Sequence, residues 1–266
     1  MTTQSGYAPV NGLELYYEIH GEGDPLILLH GGFGLAAMFE PIMPQLSAHR
    51  QVIAVDLQGN GHTADIDRPL SLEAMGDDVG KLIEHLGFAQ ADVMGYSMGG
   101  GVGLQTAIQH PERVRKLVVV SIPFKRSGWY PEQTAGMDQI GAHSAEFMKN
   151  TPMYEAYTAV APHPENFTQL CAKMGDMMRG DYDYSEGVKG LTMPVLLVFG
   201  DADGLPPSHA AEFFALLGGG QRDGSWDRSG MPKSQLAILP NMTHYDIFES
   251  PALIPMVDAF LDAPAQ

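Results

Sequence analysis

Residues 92–103 read DVMGYSMGGGVG and contain the pentapeptide Gly95-Tyr96-Ser97-Met98-Gly99 at the end of a short apolar strand. A serine stands exposed at such a strand tip only if the backbone reverses sharply and enters a helix, here expected to run to about His110. Side chains two residues before or after the serine would collide with their neighbours, and glycine occupies both places. The pattern therefore predicts that Ser97 is a nucleophile ahead of a helix N-terminus, where the backbone N–H of Met98 stabilises an oxyanion.

Strand and helix patterns alternate on both sides of this turn. Apolar runs predict strands at 25–29, 51–55, 91–94, 117–120, 194–200 and 236–239, after a hairpin at 7–20 that turns at Asn11-Gly12. Helical periodicity predicts helices at 36–48, 74–86, 208–217 and 251–261, with Ser71 as the N-cap of the second. Continuous apolar strands separated by helices are typical of a mostly parallel sheet, here of eight strands, with helices on both faces.

The alternation is interrupted between residues 122 and 190. This segment is rich in Met, Tyr and Phe, lacks strand patterns, and has helical patterns at 134–150 and 166–179. We therefore expect two units, a core formed by residues 1–121 and 191–266 and a helical insertion at 122–190. A polar, glycine-rich stretch at 218–234 is expected to be a surface loop.

The composition restricts the partners and the compartment. Of the 266 residues, 44% are apolar, which is enough for a sizeable core, and 32 Asp and Glu face 15 Lys and Arg, for a net charge of −17. Such a charge disfavours nucleic acid and anionic membranes as partners. The single cysteine, Cys171, excludes an intrachain disulfide framework, and the sequence shows neither a signal-peptide pattern nor a membrane-spanning apolar run. A cytoplasmic location is expected, and a homodimer is left open.

A serine hydroxyl becomes a nucleophile when a base within hydrogen-bond reach removes its proton and a carboxylate orients that base. Because ligands gather outside the carboxyl ends of parallel strands, both groups are expected there. His244 follows the last strand, which makes it the candidate base among ten histidines. His30 is expected to shape a glycine loop, and His62 is a weaker candidate for lining the site. Asp201 and Asp203 both follow the strand before the last, and the residues alone do not choose between them.

Four segments resemble the α/β-hydrolase superfamily, and the resemblance extends over essentially the whole chain. They are His30-Gly31-Gly32, Gly95-Tyr96-Ser97-Met98-Gly99-Gly100, Gly200-Asp201-Ala202-Asp203 and Thr243-His244. The resemblance implies an α/β-hydrolase fold in which Ser97, Asp203 and His244 form the catalytic triad.

The same resemblance implies the remaining parts of the site. Gly32 is expected to donate the second oxyanion N–H beside that of Met98, with Phe33 as the near alternative. Residues 122–190 fall where such enzymes carry a cap over the pocket. The cap is rich in aromatic and methionine side chains, which suit an apolar and adaptable pocket ceiling.

The identity of the nucleophile narrows the chemistry. Relatives that open epoxides or displace halide use Asp at this position, whereas a serine implies an acyl-enzyme formed from a carbonyl compound. We expect hydrolysis of small to medium, largely uncharged carboxylic esters, with water as the second substrate and without metal or cofactor. The candidate substrate-binding residues are Phe33, Tyr96, Trp129 and Tyr154.

Three other functions are compatible with the same residues. A serine-type carbon–carbon bond hydrolase and a cofactor-free perhydrolase both use this triad, so the spacing of the motifs does not separate them from an esterase. A ligand receptor that retains a slow triad belongs to a different class. It would complete one cycle where an enzyme completes many.

Overall fold

The computed structural model describes residues 4–264, and an eight-stranded sheet forms their centre. The strands are β1 Gln4–Val10, β2 Leu13–His20, β3 Asp24–Leu29, β4 Arg50–Val55, β5 Ala91–Tyr96, β6 Val114–Val120, β7 Val195–Ala202 and β8 Gln235–Thr243. Their order in the sheet is β1-β2-β4-β3-β5-β6-β7-β8. The pairs from β4 to β8 are parallel, and β2 is antiparallel to both β1 and β4. The prediction of a mostly parallel eight-stranded sheet is confirmed.

Ten α-helices surround this sheet in the described part of the chain. They are α1 Met43–Leu46, α2 Leu72–His85, α3 Met98–Gln109, α4 Pro131–Asp138, α5 Ser144–Met148, α6 Pro152–Val160, α7 Phe167–Arg179, α8 Ser185–Lys189, α9 Pro207–Leu216 and α10 Leu253–Asp262. Within residues 4–264, no helix has the length and apolar character needed to cross a membrane.

Successive side chains of a strand point to opposite faces of the sheet, and both faces are buried in this protein. Leu29 and Val93 belong to one apolar cluster, which includes residues of α2 and α3. Leu28 and Met94 belong to a second cluster, which includes residues of α1 and α10. Strands buried on both faces explain why the apolar runs in the sequence are continuous rather than alternating.

Local signals locate several element ends as predicted. Asn11 and Gly12 have φ of 48° and 84°, the left-handed values that a two-residue hairpin turn requires. The Ser71 side chain accepts a hydrogen bond from the Ala74 N–H at 3.1 Å, so it caps α2. Residues 218–234 contain neither helix nor strand, in agreement with the predicted loop.

Two predicted helices are wrong as continuous elements. Residues 36–48 form a 3₁₀ turn, Ala36–Phe39, followed by the short α1, because Pro41 between them offers no N–H to continue a helix. Residues 134–150 are divided between α4 and α5, and the Gly141 N–H at the break bonds to the Ser144 hydroxyl at 3.1 Å. Helices α6 and α8 were not predicted, since both are short and lack a long apolar period.

The last strand is longer than predicted and continues through Pro240 to Thr243. A proline cannot donate to a sheet ladder, so it is tolerated on an edge strand. Strand β8 is such an edge strand, with β7 as its single neighbour. The extension matters because it carries the chain to the residue just before His244.

The turn from β5 into α3 depends on close backbone contacts at two glycines. A Cβ added at Gly95 would lie 2.0 Å from the carbonyl oxygen of Gly99. A Cβ added at Gly99 would lie 2.2 Å from the carbonyl oxygen of Leu29. Neither contact can be relieved by rotating a side chain, so α3 starts this close to the sheet only with glycine at both positions.

We therefore expect Gly95→Ala to destabilise the protein by about 3 kcal/mol or more, because backbone rather than a side chain must move. Urea denaturation followed by circular dichroism measures this loss. Gly136→Ala is the matched control, because a Cβ there meets nothing within 4 Å inside α4. That variant should gain about 0.5–1 kcal/mol. An unchanged midpoint for Gly95→Ala would contradict the proposed steric role.

Candidate active site

Ser97 lies between β5 and α3 with a backbone conformation that non-glycine residues rarely adopt. Its φ is 51° and its ψ is −120°. The Ser97 N–H donates to the carbonyl of Val120 in β6 at 2.8 Å, which holds the strained residue against the sheet. Helix α3 begins at the next residue, so Ser97 stands at the positive end of a helix dipole.

The imidazole of His244 lies between Ser97 and a buried carboxylate. Its Nε2 is 3.0 Å from Ser97 Oγ, and its Nδ1 is 2.9 Å from Asp203 Oδ1. The three side chains come from the ends of β5, β7 and β8, which lie at the same edge of the sheet. The structure thus brings together the serine, the base and the acid that the sequence pointed to.

The carboxylate of Asp203 is buried and receives hydrogen bonds on both oxygens. Oδ1 accepts from the Gly204 N–H at 2.6 Å, and Oδ2 accepts from the Ser121 hydroxyl at 2.6 Å and the Gly200 N–H at 3.3 Å. Burial by itself raises the pKa of Asp203, but the hydrogen bonds from His244, Ser121 and Gly200 outweigh it and leave the pKa below its usual value. An ionised Asp203 keeps the proton of the neighbouring imidazole on Nδ1 and leaves Nε2 free to accept.

Asp201, the other candidate acid, has a different contact. It is exposed, and its Oδ1 accepts from the Met242 N–H at 3.3 Å. This bond joins the ends of β7 and β8. The hydrogen bond that Asp203 accepts from the imidazole therefore distinguishes the two acids, which the residues alone did not, and it agrees with the resemblance, which implied Asp203.

Tyr96 holds the backbone of His244 in place by a hydrogen bond. Its hydroxyl donates to the backbone carbonyl of His244 at 2.6 Å, and the two rings lie 5.3 Å apart. Trp129 also contacts the imidazole, edge to face, at 5.5 Å between ring centroids. Tyr96 was predicted as a substrate contact, but the hydroxyl is engaged by the backbone of the base, and the residue is absent from the cavity wall.

The glycine loop after β3 is organised by His30. This buried imidazole has Nδ1 at 2.7 Å from the Gly31 carbonyl, and its Nε2 accepts from the Leu57 N–H at 3.0 Å. Burial lowers its pKa, so the ring is neutral and its acceptor is available. His30 therefore links the loops after β3 and β4.

A second buried carboxylate, Asp56, was not singled out by the sequence. It accepts from the Ala36 N–H at 2.7 Å and from the His62 N–H at 2.8 Å. His62 Nδ1 also lies 2.8 Å from Asp56 Oδ2, so this ring packs against Asp56 and does not line the cavity. The only sequence signal for Asp56 was its position directly after an apolar strand.

Two backbone N–H groups, those of Gly32 and Met98, are candidate donors to an oxyanion at Ser97. Gly32 and Met98 both line the cavity that contains Ser97. Within residues 4–264, neither backbone N–H donates to an acceptor of the chain. Phe33, the alternative donor, has φ of 58° and a buried ring 6.2 Å from that of Phe167.

A cavity of about 580 Å³ opens over Ser97. Its apolar wall is formed by Leu70, Leu72, Met98, Ile122, Trp129, Met137, Met177 and Met178. Of the four predicted substrate contacts, only Trp129 lies in this wall. Tyr154 packs edge to face on Phe167 at 4.9 Å between ring centroids, and the Phe33 ring lies 6.2 Å from that of Phe167, so both contribute to the packing around α7.

Comparison with known proteins identifies the family. The model of the alpha/beta hydrolase fold family matches residues 24–172, more than half of the chain. The chain belongs to the alpha/beta hydrolase fold family. This confirms the resemblance drawn from the sequence motifs.

Relatives of this alpha/beta hydrolase carry several names. A pimeloyl-[acyl-carrier protein] methyl ester esterase from Aliivibrio fischeri is 29% identical over 222 residues, 76% of this chain and 84% of that protein. RutD of Azorhizobium caulinodans, to which carbamate hydrolysis is provisionally assigned, is 37% identical over 115 residues, which span 43% of each chain. The solved carboxylesterase CesB from Bacillus subtilis superposes with a TM-score of 0.72 at 23% identity, covering 98% of this chain and 92% of CesB. That superposition confirms the fold.

The single thiol of this alpha/beta hydrolase is buried, and its potential metal ligands are dispersed over the described part of the chain. Cys171 is buried in α7, and burial raises its pKa to about 11, which keeps it a thiol. Among the residues that the structure describes, no three His, Cys, Asp or Glu side chains come close enough together to hold a metal ion.

The hydroxyl of Ser121 should matter for stability in a pH-dependent way. Because the folded-state pKa of Asp203 is lowered, its charge stabilises the fold above the unfolded pKa of about 4 and ceases to do so as pH falls through the folded value. Ser121→Ala removes one donor to this charge, so we expect a loss of about 1–3 kcal/mol at pH 7 that shrinks below pH ~4. Urea denaturation at pH 7 and below pH 4 measures both quantities.

Ser185→Ala provides the control, because its hydroxyl also donates to a carboxylate, that of Asp183, but at the surface. We expect that variant to change stability by less than about 0.5 kcal/mol. A loss for Ser121→Ala that is equal at both pH values would show that the charge of Asp203 is not involved.

Proposed function

We propose that this protein is a serine hydrolase that cleaves small to medium, largely uncharged carboxylic esters through an acyl-enzyme. The observation that carries the proposal is the continuous hydrogen-bonded series from Ser97 Oγ to His244 Nε2 and from His244 Nδ1 to Asp203, at 3.0 Å and 2.9 Å. These distances lie within the reach needed for proton transfer.

In the proposed reaction, Ser97 Oγ attacks the ester carbonyl carbon while His244 Nε2 takes the hydroxyl proton. The resulting imidazolium is stabilised by the charge of Asp203. Collapse of the tetrahedral intermediate breaks the bond to the alkoxy oxygen, which leaves as an alcohol with the proton from His244. Water then attacks the acyl-enzyme with the same base, releases the acid and restores the serine. The steps use only groups of the chain and water.

The oxyanion of each tetrahedral intermediate is proposed to bind the N–H groups of Gly32 and Met98. Both are free of acceptors in the described chain, and Met98 opens α3 with its dipole pointing at the site. Removal of one such donor from a serine hydrolase typically costs about 10²–10³ in turnover.

Ester cleavage is favoured over other acyl chemistry by two considerations. The relative from Aliivibrio fischeri, whose match covers most of both chains, is named as a methyl ester esterase. The cavity that contains Ser97 has apolar lining residues, among them Met98, Ile122 and Trp129, and these suit an uncharged part of a substrate.

We further propose that residues 122–190 act as a cap on a core formed by residues 1–121 and 191–266. Helices α4 to α8 all fall in this segment, between β6 and β7. It supplies Trp129, Met177 and Met178 to the cavity, whereas the core supplies Gly32 and Ser97. This division assigns the reacting groups to one unit and much of the substrate wall to the other.

Covalent labelling tests the nucleophile and the reaction class together. A fluorophosphonate should label the wild-type protein on the peptide that contains Ser97. Ser97→Ala should not be labelled, and its rate of p-nitrophenyl ester hydrolysis should be lower by several orders of magnitude. Ser225→Ala is the matched control, since Ser225 also has a positive φ, of 63°, but lies in the loop at 218–234. Folding of both variants is checked by circular dichroism.

The substrate assay separates the alternatives. Many turnovers per protein molecule on p-nitrophenyl esters support the esterase, whereas a single turnover with a stable adduct indicates a receptor. Faster cleavage of a vinylogous diketone indicates a carbon–carbon bond hydrolase, and faster peracid formation from acid and peroxide indicates a perhydrolase. Labelling of another residue, or full activity in Ser97→Ala, would contradict the mechanism.

The two strand-end acids should differ sharply in a mutational test. Asp203→Asn keeps the shape but removes the charge that orients His244, so kcat should fall about 10³–10⁴-fold. Asp201→Asn retains an oxygen that accepts from the Met242 N–H, and kcat should stay within about threefold. Steady-state kinetics on one p-nitrophenyl ester measures both. A larger effect at Asp201 would assign the acid to that residue instead.

A further inference from the structure

One part of the cavity wall is held rigidly by backbone contacts. The Arg126 N–H donates to the Tyr182 carbonyl at 2.9 Å, and Lys125 and Asp183 form an antiparallel bridge beside it. Arg126 and Tyr182 both line the cavity. The backbone contacts therefore fix where the side chains of Arg126 and Tyr182 enter the cavity wall.

The hydroxyl of Tyr182 has one partner, although a phenol can both accept and donate. Its oxygen accepts from Trp129 Nε1 at 3.1 Å. Within residues 4–264, its own hydrogen has no acceptor. Burial raises the pKa of Tyr182, so the hydrogen is retained at neutral pH. A half-buried donor without an acceptor, in the wall of a cavity, is a group that a ligand can satisfy.

The neighbouring Tyr184 provides a contrast. The two rings stack at 5.0 Å, and Tyr184 also lines the cavity. Its hydroxyl, however, donates to Glu73 Oε1 at 2.8 Å and is thereby satisfied. Of the two stacked phenols, only Tyr182 has a hydrogen left to donate.

We propose that the Tyr182 hydroxyl is a specificity-determining donor to a second, uncharged oxygen of the substrate, such as a ketone or ether separate from the reacting ester. This inference rests on the proposed function. It adds that the preferred ester carries a further hydrogen-bond acceptor. Trp129 joins the two parts of the site, because it contacts both the His244 ring and the Tyr182 hydroxyl.

The charges of the wall favour a neutral acceptor over a carboxylate. Each cation of the lining already has an acidic partner: Arg68 with Asp78 at 2.6 Å, Arg126 with Asp138 at 2.6 Å, and Lys173 with Asp65 at 2.7 Å. The lining also contains four acids, Asp67, Glu73, Asp176 and Asp181. A carboxylate would enter this wall without an unpaired cation to compensate its charge.

Matched ester pairs test this inference. The probes are p-nitrophenyl pentanoate and hexanoate with their 4-oxo and 5-oxo analogues, and hexyl acetate with analogues that carry an ether or ketone in the alcohol. p-Nitrophenyl hydrogen glutarate supplies a carboxylate. For the wild type, at least one neutral oxygenated ester should exceed its alkyl counterpart in kcat/KM by roughly fivefold or more. Tyr182→Phe should bring that ratio to about one, whereas Tyr184→Phe should leave it unchanged.

Binding provides a readout that does not need turnover. In the Ser97→Ala background, calorimetry should show roughly fivefold weaker binding of the preferred oxygenated ester when Tyr182→Phe is added, and no such change for its alkyl counterpart. The inference is wrong if Tyr182→Phe leaves both the kinetic and the binding ratio unchanged, if Tyr184→Phe lowers them equally, or if the glutarate ester is preferred. Absence of all ester turnover with the binding ratios intact would instead contradict the proposed function.

Discussion

The close approach of α3 to the sheet at Gly95 and Gly99 is the constraint on which the candidate site depends. It forces the chain to reverse within one residue, and Ser97 absorbs the reversal with a φ of 51°. A residue continuing the strand would point its side chain into one of the two apolar clusters. The reversal instead turns the Ser97 hydroxyl toward the strand ends, where His244 lies 3.0 Å away. The stability of the fold and the exposure of Ser97, the candidate nucleophile, therefore have the same cause.

Buried carboxylates organise the edge of the sheet around this turn. Asp203 after β7 and Asp56 after β4 are both buried, and in the described chain neither forms an ion pair with Lys or Arg. Each accepts from backbone N–H groups and contacts one imidazole, His244 for Asp203 and His62 for Asp56, and Asp203 also accepts from the Ser121 hydroxyl. Unpaired carboxylates would be costly at these depths, so the surrounding loops are held in the conformations that supply donors. The same hydrogen bonds that stabilise Asp203 leave it charged and able to orient a base.

The fold was accessible from the sequence because it rests on local signals, whereas the preference for Asp203 over Asp201 as the candidate acid came only from the resemblance to α/β-hydrolases. Continuous apolar runs identify strands buried on both faces, and glycine pairs around Ser97 identify the reversal. The broken helix at 36–48 was missed because apolar periodicity persisted across Pro41, whose effect on the backbone outweighs it. The hydrogen-bond partners of Tyr96 and Tyr182 could not be read from sequence. Each depends on contacts with residues distant in the chain, His244 in one case and Trp129 in the other.

Under the proposed function, substrate choice has to come from parts of the cavity that the reaction does not constrain. Ser97, Gly32 and Met98 are positioned by the ends of strands and the start of a helix. In the proposed mechanism every acyl substrate contacts these three residues in the same way. The part of the wall from residues 122–190 is positioned instead by packing among short helices. Its polar groups differ in how many hydrogen-bond partners they have, as Tyr182 and Tyr184 show. Trp129 contacts both parts, since its indole N–H donates to the Tyr182 hydroxyl and its ring lies edge to face on that of His244. Under the proposed function, the group that recognises a second oxygen and the group that activates Ser97 therefore share Trp129 as a neighbour.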